Sequence, residues 1–215
     1  MKVGILGSGD VAKALAHGFR ASGHSVQLGT RTPSQPALVA WANQEGGPVA
    51  LGTFAEAAAF GEIVVLATLG NATAEVVALA GPAHLDGKVV IDVTNPLVMA
   101  ENSPPTLSVG HTSSSGERLQ ALVPRAHVVK AFNIVGNTLM FQPKLPGGPP
   151  DMFIAGNDAG AKRTVGRILK EFGWPEPIDL GGIEGSRELE SLCILWVKSA
   201  FALRNFQIAF KLLRA

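Results

Sequence analysis

The chain has 215 residues, 47% of them hydrophobic, with 18 Lys plus Arg against 17 Asp plus Glu for a formal net charge of +1. That balance leaves no basic surplus for nucleic acid or an anionic membrane, while the apolar share is enough for a sizeable core. Cys193 is the only cysteine, which excludes an intrachain disulfide and fits a reducing cytoplasm.

The first predicted element, residues 3–6, is an apolar run that reads as a buried parallel strand. It begins so early that no room for a signal peptide is expected, and no apolar run reaches the about 18 residues of a membrane span. The chain then turns through Gly7-Ser8-Gly9 into an amphipathic helix marked by Val11, Leu15 and Phe19. Gly7-x-Gly9-x-x-Ala12, set between strand and helix, reads as the phosphate-binding turn of a dinucleotide site. Gly7 permits the tight turn, Gly9 has no Cβ to hold the backbone off a pyrophosphate, and small Ala12 lets helix and strand pack closely. The helix start adds unpaired N–H groups and a positive dipole end.

A second strand is predicted over 25–29, a helix over 37–43 behind Pro33 and Pro36, a turn at 45–47 and a short strand at 49–51. An Ala-rich helix (54–60), a fourth strand (63–68), a helix (72–80) and a fifth strand (89–93) ending in Thr94-Asn95-Pro96 follow. Residues 98–116, rich in Pro, Ser, Thr and Gly, break the rhythm and read as a long loop, of the kind that is functional or disordered. A helix (116–122) and a sixth strand (127–131) precede the Pro- and Gly-rich stretch 143–150, which reads as a boundary or hinge. Beyond it come a strand (152–155), a helix (158–172), a strand (177–180) and a long final helix (186–213). The alternation predicts an α/β fold: a Rossmann-type, doubly wound, mainly parallel sheet with a small C-terminal α/β cap ending in a long helix. The expected division is an NADP-binding domain over 1–142 and a substrate and dimerisation unit over 151–215. In the final helix Leu189, Leu192, Trp196, Leu203, Phe206 and Phe210 form a stripe, and Ile194, Val197, Phe201 and Ile208 cover much of the rest. A helix apolar on most sides is buried on most sides, so it is expected to meet a second copy in a homodimer or to roof the active site.

An NAD site places Asp or Glu about 20 residues after the glycine turn, on the ribose 2′-OH. Here that place reads Gly29-Thr30-Arg31-Thr32, without a carboxylate. Arg31 pairs with a 2′-phosphate, and the hydroxyls of Thr30 and Thr32 donate to it, so NADP(H) is expected.

Together with this segment, the runs Asp92-Val93-Thr94-Asn95-Pro96 and Val129-Lys130-Ala131-Phe132-Asn133 give the chain a family likeness. It resembles the NADP oxidoreductases that use the deazaflavin coenzyme F420, and is similar to the cytosolic NADPH-binding domain of the six-transmembrane STEAP metalloreductases. The segments Ile154-Ala155-Gly156-Asn157-Asp158 and Glu184-Gly185-Ser186-Arg187 fit both. The resemblance implies that Ser8, Gly9, Asp10 and Val11 contact the pyrophosphate, and Thr30 and Arg31 the 2′-phosphate. It places Thr68 and Leu69 along the ribose and nicotinamide side. It puts Asn95 and Ala131 beside the nicotinamide, with Pro96 and Asn133 next to them. Two departures stand out: Pro33-Ser34-Gln35 replaces a second basic residue after Arg31, and Phe132-Asn133-Ile134 replaces a histidine-containing stretch.

The implied reaction is hydride transfer between NADP(H) and a deazaflavin such as F420, or FMN or FAD. It needs ring stacking and exclusion of water rather than a protein acid or base. No catalytic residue in the strict sense and no metal site are expected: His17, His24, His84 and His127 lack ligand spacing, and His111 reads as a solvated loop histidine. Residues 98–116 and the final helix are the expected walls for the second ring. Alternatives are a ferric or quinone reductase working through flavin, and a non-catalytic NADPH sensor.

Overall fold

The computed structural model describes residues 1–44, 49–101 and 103–213; the expected turn at 45–47 lies outside them. The first half runs β1 (Lys2–Leu6), α1 (Asp10–Ala21), β2 (Ser25–Gly29), α2 (Pro36–Gln44), β3 (Ala50–Gly52), α3 (Phe54–Phe60), β4 (Ile63–Leu66), α4 (Thr73–Ala80) and β5 (Val89–Asp92). The second half adds β6 (Leu97–Ala100), β7 (Ser103–Leu107), α5 (Ser115–Leu122), β8 (His127–Lys130), β9 (Phe153–Gly156), α6 (Ala159–Glu171), β10 (Ile178–Asp179) and α7 (Ser186–Leu203).

An eight-stranded sheet has the order β10-β9-β8-β5-β4-β1-β2-β3. Strands β1, β2, β3, β4, β5 and β8 pair in parallel; β9 is antiparallel to β8, and β10 is parallel to β9. This is the doubly wound Rossmann-type architecture. Residues 151–215 add β9 and β10 to the edge of the same sheet. Strand order reverses at β1, so the crevice between the loops after β1 and β4 lies where open α/β sheets bind ligands.

The strands are apolar on both faces because both faces are covered. In β4, Ile63 and Val65 join a core with Leu15 and Phe19 of α1, Leu38 of α2 and Val165 and Leu169 of α6. Val64 and Leu66 point to the other side, against Ala57 of α3, Val77 of α4 and Leu119 of α5. Fully burying each Val, Leu or Ile side chain stabilises by about 1.5–3 kcal/mol. Thr53 starts α3 with a capping box: its hydroxyl accepts from the Glu56 N–H at 3.2 Å, and the Glu56 carboxylate accepts the Thr53 N–H at 2.7 Å.

Two expectations need correction. The final helix does not reach 213. It stops at Leu203, where Arg204 takes a left-handed φ of 49° and the Asn205 N–H bonds back to the Ala200 carbonyl at 3.0 Å. Residues 205–213 then run back alongside it. The Trp196 Nε1–H donates to the Ile208 carbonyl at 2.8 Å, and the Asp151 N–H donates to that of Phe210 at 2.9 Å. Phe210 packs on the core from an extended tail, so the apolar pattern continued past the point where the helix stopped. The second correction concerns 98–116, expected as a loop: β6 and β7 pair antiparallel as a hairpin. Pro104 and Pro105 lie in β7, tolerated because each strand of a two-stranded sheet has a free edge.

Candidate functional site

The candidate site lies along the C-terminal ends of the parallel strands. At the end of β1, Gly7 adopts φ 143°, and its N–H donates to the Gly29 carbonyl at 2.9 Å. A Cβ there would stand 2.2 Å from the Ala67 carbonyl oxygen, so only glycine fits the turn. A Cβ on Gly9 would meet nothing within 4 Å, which leaves open space directly over the start of α1. Gly9 is the N-cap of that helix, and no side chain caps it. Its first N–H groups therefore face that opening as donors for an anion. Asp10 and Val11 occupy the first turn, and Ala12 is fully buried under it.

The end of β2 comes alongside. The Ser8 hydroxyl donates to Thr30 Oγ1 at 3.3 Å, so two residues 22 apart in sequence meet at the turn. The Arg31 guanidinium is 76% exposed, with Glu75 Oε1 at 3.8 Å. An ion pair this open and long contributes little and leaves the cation available. Thr32 is exposed beside it.

A second group gathers at the ends of β4, β5 and β8. Thr68 Oγ1 is buried with no hydrogen-bond partner, and Leu69 is 82% exposed. Asn95 and Asn133 bond reciprocally: Asn95 Nδ2 donates to the Asn133 carbonyl at 2.8 Å, and Asn133 Nδ2 to Asn95 Oδ1 at 2.9 Å. Asn133 Nδ2 also donates to the Leu189 carbonyl at 3.0 Å, tying this crest to α7. Pro96 and Ala131 are buried beneath, and Asn133 Oδ1 is a further buried acceptor without a partner. The predicted residues thus form two groups on one edge: 7–11 with 30–32, and 68–69 with 95, 96, 131 and 133.

Sequence reasoning passed over the network that supports this edge. Lys130 Nζ, fully buried, lies 2.8 Å from Asp92 Oδ2, 2.9 Å from Glu190 Oε1 and 2.8 Å from the Thr94 carbonyl. Asp92 Oδ1 accepts from the Thr94 N–H and hydroxyl. The Glu190 carboxylate accepts the N–H groups of Ser115 and Gly116, each at 3.0 Å, capping α5 from α7. Burial alone would push the Lys130 ammonium down; Asp92 and Glu190 outweigh it and hold it above its ordinary value. One signal was available: Asp92 and Lys130 are charges in otherwise apolar runs, and they pair in register on β5 and β8. Burial pushes the nearby Cys193 thiol up to about 12, which makes it a packing group rather than a nucleophile.

Between the β6–β7 hairpin and α7 lies a cavity of about 320 Å³, lined among others by Thr106, Leu107, His111, Ser191, Ile194 and Lys198. Hairpin and final helix are thus the two sides of one hollow. His111, at φ 58°, stands exposed at its rim.

The first group fits a dinucleotide: an open cradle above an uncapped helix start, a hydroxyl pair and a guanidinium held only by a long, exposed ion pair match phosphates. Among the described residues no helix is long and apolar enough to cross a membrane.

Comparison with known proteins gives the chain a family and a fold. The family model for NADP oxidoreductase, coenzyme F420-dependent, matches residues 2–96. The crystal structure of a putative F420-dependent NADP reductase from Arthrobacter sp. FB24 superposes with a TM-score of 0.94 at 37% identity over 100% of both chains. The rat metalloreductase STEAP3 is 32% identical over 200 residues, 89% of this chain and 36% of its own length. The F420-dependent NADP reductase of Methanocaldococcus jannaschii is 30% identical over 115 residues, 53% of this chain and 51% of its own length. The chain therefore spans only part of the curated relatives it matches.

Proposed function

The chain belongs to the family of coenzyme F420-dependent NADP oxidoreductases, and from that premise we propose that it transfers hydride between NADP(H) and a deazaflavin or flavin. The observation that carries the cofactor half is the unfilled cradle over Gly9, with an uncapped helix start below it and Ser8, Thr30 and Arg31 beside it. In this reading the N–H groups of the first turn of α1 bind the pyrophosphate, and Arg31 with Thr30 and Thr32 binds the 2′-phosphate. Thr68, Leu69, Asn95 and Asn133 border the nicotinamide end. Bound NADPH supplies the hydride. The protein holds two rings in contact and keeps water out, a task that needs no acid or base at the reacting carbon.

The hollow between hairpin and α7 supports placing the second ring against these elements. Its volume of about 320 Å³ falls within the range of small-molecule sites. Identity to the metalloreductases favours one second reading, a ferric or quinone reductase acting through free FMN or FAD. We also assign residues 151–215 to the substrate and dimer side of the molecule. Leu195, Phe201, Leu203 and Phe206 are each more than half exposed near the end of α7, an apolar surface suited to a second copy. Cytoplasmic placement completes the proposal, in keeping with a lone, buried thiol.

An NADPH oxidation screen with deazaflavin, FMN, FAD, ferric chelates and quinones tests the reading. Turnover with deazaflavin or flavin is expected. NADPH binding without turnover of any acceptor would leave a sensor instead, and a strict monomer at micromolar concentration would remove the dimer.

A further inference from the structure

We infer that the cavity between the first turns of α4 and α5 is an anion-binding subsite for a carboxylate or phosphate carried by the second redox substrate; this rests on the reductase reading above. The cavity has a volume of about 160 Å³, below the roughly 300 Å³ at which ligand pockets begin to take whole drug-sized molecules. It therefore admits a charged arm but not a fused ring system.

Thr73 carries the inference. The residue is 6% exposed and lines the cavity, yet its hydroxyl has no hydrogen-bond partner among the described residues. A buried hydroxyl left unpaired is unfavourable, and a ligand acceptor would relieve it. Thr73 opens α4 directly after a helical turn over Gly70–Ala72, and its N–H is spent on the Gly70 carbonyl, so the hydroxyl is the donor it has left. Across the cavity, Ser115, Arg118 and Leu122 lie at i, i+3 and i+7 on one face of α5. Arg118 is the only charged residue on the lining and forms no ion pair among the described residues.

Asn71, Ser108 and the backbone N–H of Ser115 are spent. Asn71 Oδ1 accepts from the Ser108 hydroxyl at 2.8 Å, and Asn71 Nδ2 donates to the Leu97 carbonyl at 2.8 Å, which pins the hairpin to the start of α4. The Ser115 N–H is taken by Glu190. What is left over is the Thr73 hydroxyl and the Arg118 guanidinium, with no acid among the described residues of the lining. That set selects a negative group.

Position connects it to the candidate site. A Cβ on Gly70, at one end of the cavity, would stand 2.3 Å from the Asn95 carbonyl oxygen. The subsite therefore begins where the ends of β4 and β5 meet, next to Leu69 and Asn95. A ring bordered by those residues could extend an anionic chain into it.

The test compares matched acceptors: FMN against riboflavin, and coenzyme F420 against its uncharged deazaflavin–ribitol core. Arg118→Ala should raise KM for the charged acceptors by about tenfold or more, as loss of a charge-assisted contact does, while the uncharged ones move less than about twofold. Arg118→Lys should recover part of the loss, Thr73→Val should weaken charged acceptors only, and NADPH affinity should stay at the wild-type value. Equal effects on both members of a pair, or no effect, would overturn the subsite. If the wild type binds NADPH but reduces nothing, the reductase reading fails. The subsite is then judged by calorimetric titration of pyrophosphate into NADPH-saturated protein: saturable heat lost in Arg118→Ala sustains it, and no heat refutes it.

Discussion

Lys130 Nζ lies 2.9 Å from Glu190 Oε1, and both side chains are sealed from solvent. Glu190 sits on α7 and Lys130 at the end of β8, so this contact fastens the last helix to the edge that carries the candidate site. Asp92 completes the network from β5. Replacing Lys130 with Met would leave two buried carboxylates facing each other without a cation. Urea unfolding at pH 7 should show a loss of about 3–5 kcal/mol. Because the Lys130 pKa is raised above the ordinary lysine value of 10.5, its contribution is fully present below that pH. It is lost only as pH rises through the higher folded value.

Gly7→Ala should damage both fold and cofactor binding. The φ of 143° and a Cβ only 2.2 Å from the Ala67 carbonyl leave no room to relax without moving β4. Backbone strain of about 1–3 kcal/mol plus that clash should lower Tm clearly. A variant as stable as wild type would show that the turn is softer than its geometry.

Arg31→Ala should weaken NADPH binding by about 10- to 100-fold, the range of a charge-assisted contact of about 1.5–3 kcal/mol, and leave NADH unchanged. The wild-type preference should shrink as salt is raised, because this guanidinium is exposed. Equal NADPH and NADH affinities in the wild type would refute the 2′-phosphate assignment.

Cys193 should resist a thiol reagent at pH 8 in the native protein. Burial holds its pKa at about 12, so almost no thiolate is present. Labelling should appear only on unfolding; rapid native-state labelling would contradict the packing of α7.

Arg187 forks onto the Glu117 carboxylate, joining α7 to α5, and holds it below the ordinary glutamate value of 4.5. A depressed carboxylate stabilises above the unfolded pKa and stops doing so as pH falls through the folded one. The stability gap between wild type and Arg187→Gln at pH 7 should therefore close on acidification below about pH 4.5. A gap constant from pH 7 to pH 3 would assign the loss to packing instead.

Much of the candidate site was legible because its residues are local in sequence. The turn at Gly7, the strand before it, the helix after it and the missing acid at 30–32 are neighbours along the chain, and short-range stereochemistry dictates them. The end of the last helix was not legible. Phe206 and Phe210 continue an apolar rhythm that an antiparallel tail satisfies as well as a helix does, and the bonds from Trp196 to Ile208 and from Asp151 to Phe210 are what distinguish the two. The hairpin was obscured in the same way, since Pro104-Pro105 argues against a strand until its free edges are known.

The linear order of residues was enough to dictate an α/β sheet and the tight glycine turn, and to motivate the proposed preference for a phosphorylated ribose, because each depends on backbone permissions and charges within a few positions. The tertiary structure alone decided that Asp92, Lys130 and Glu190 share one buried charge network, that among the described residues the Thr68 and Thr73 hydroxyls have no partner, and that Arg118 lines the same cavity as Thr73. Those facts depend on side chains dozens of residues apart meeting where water is absent, and no local rule encodes such a meeting.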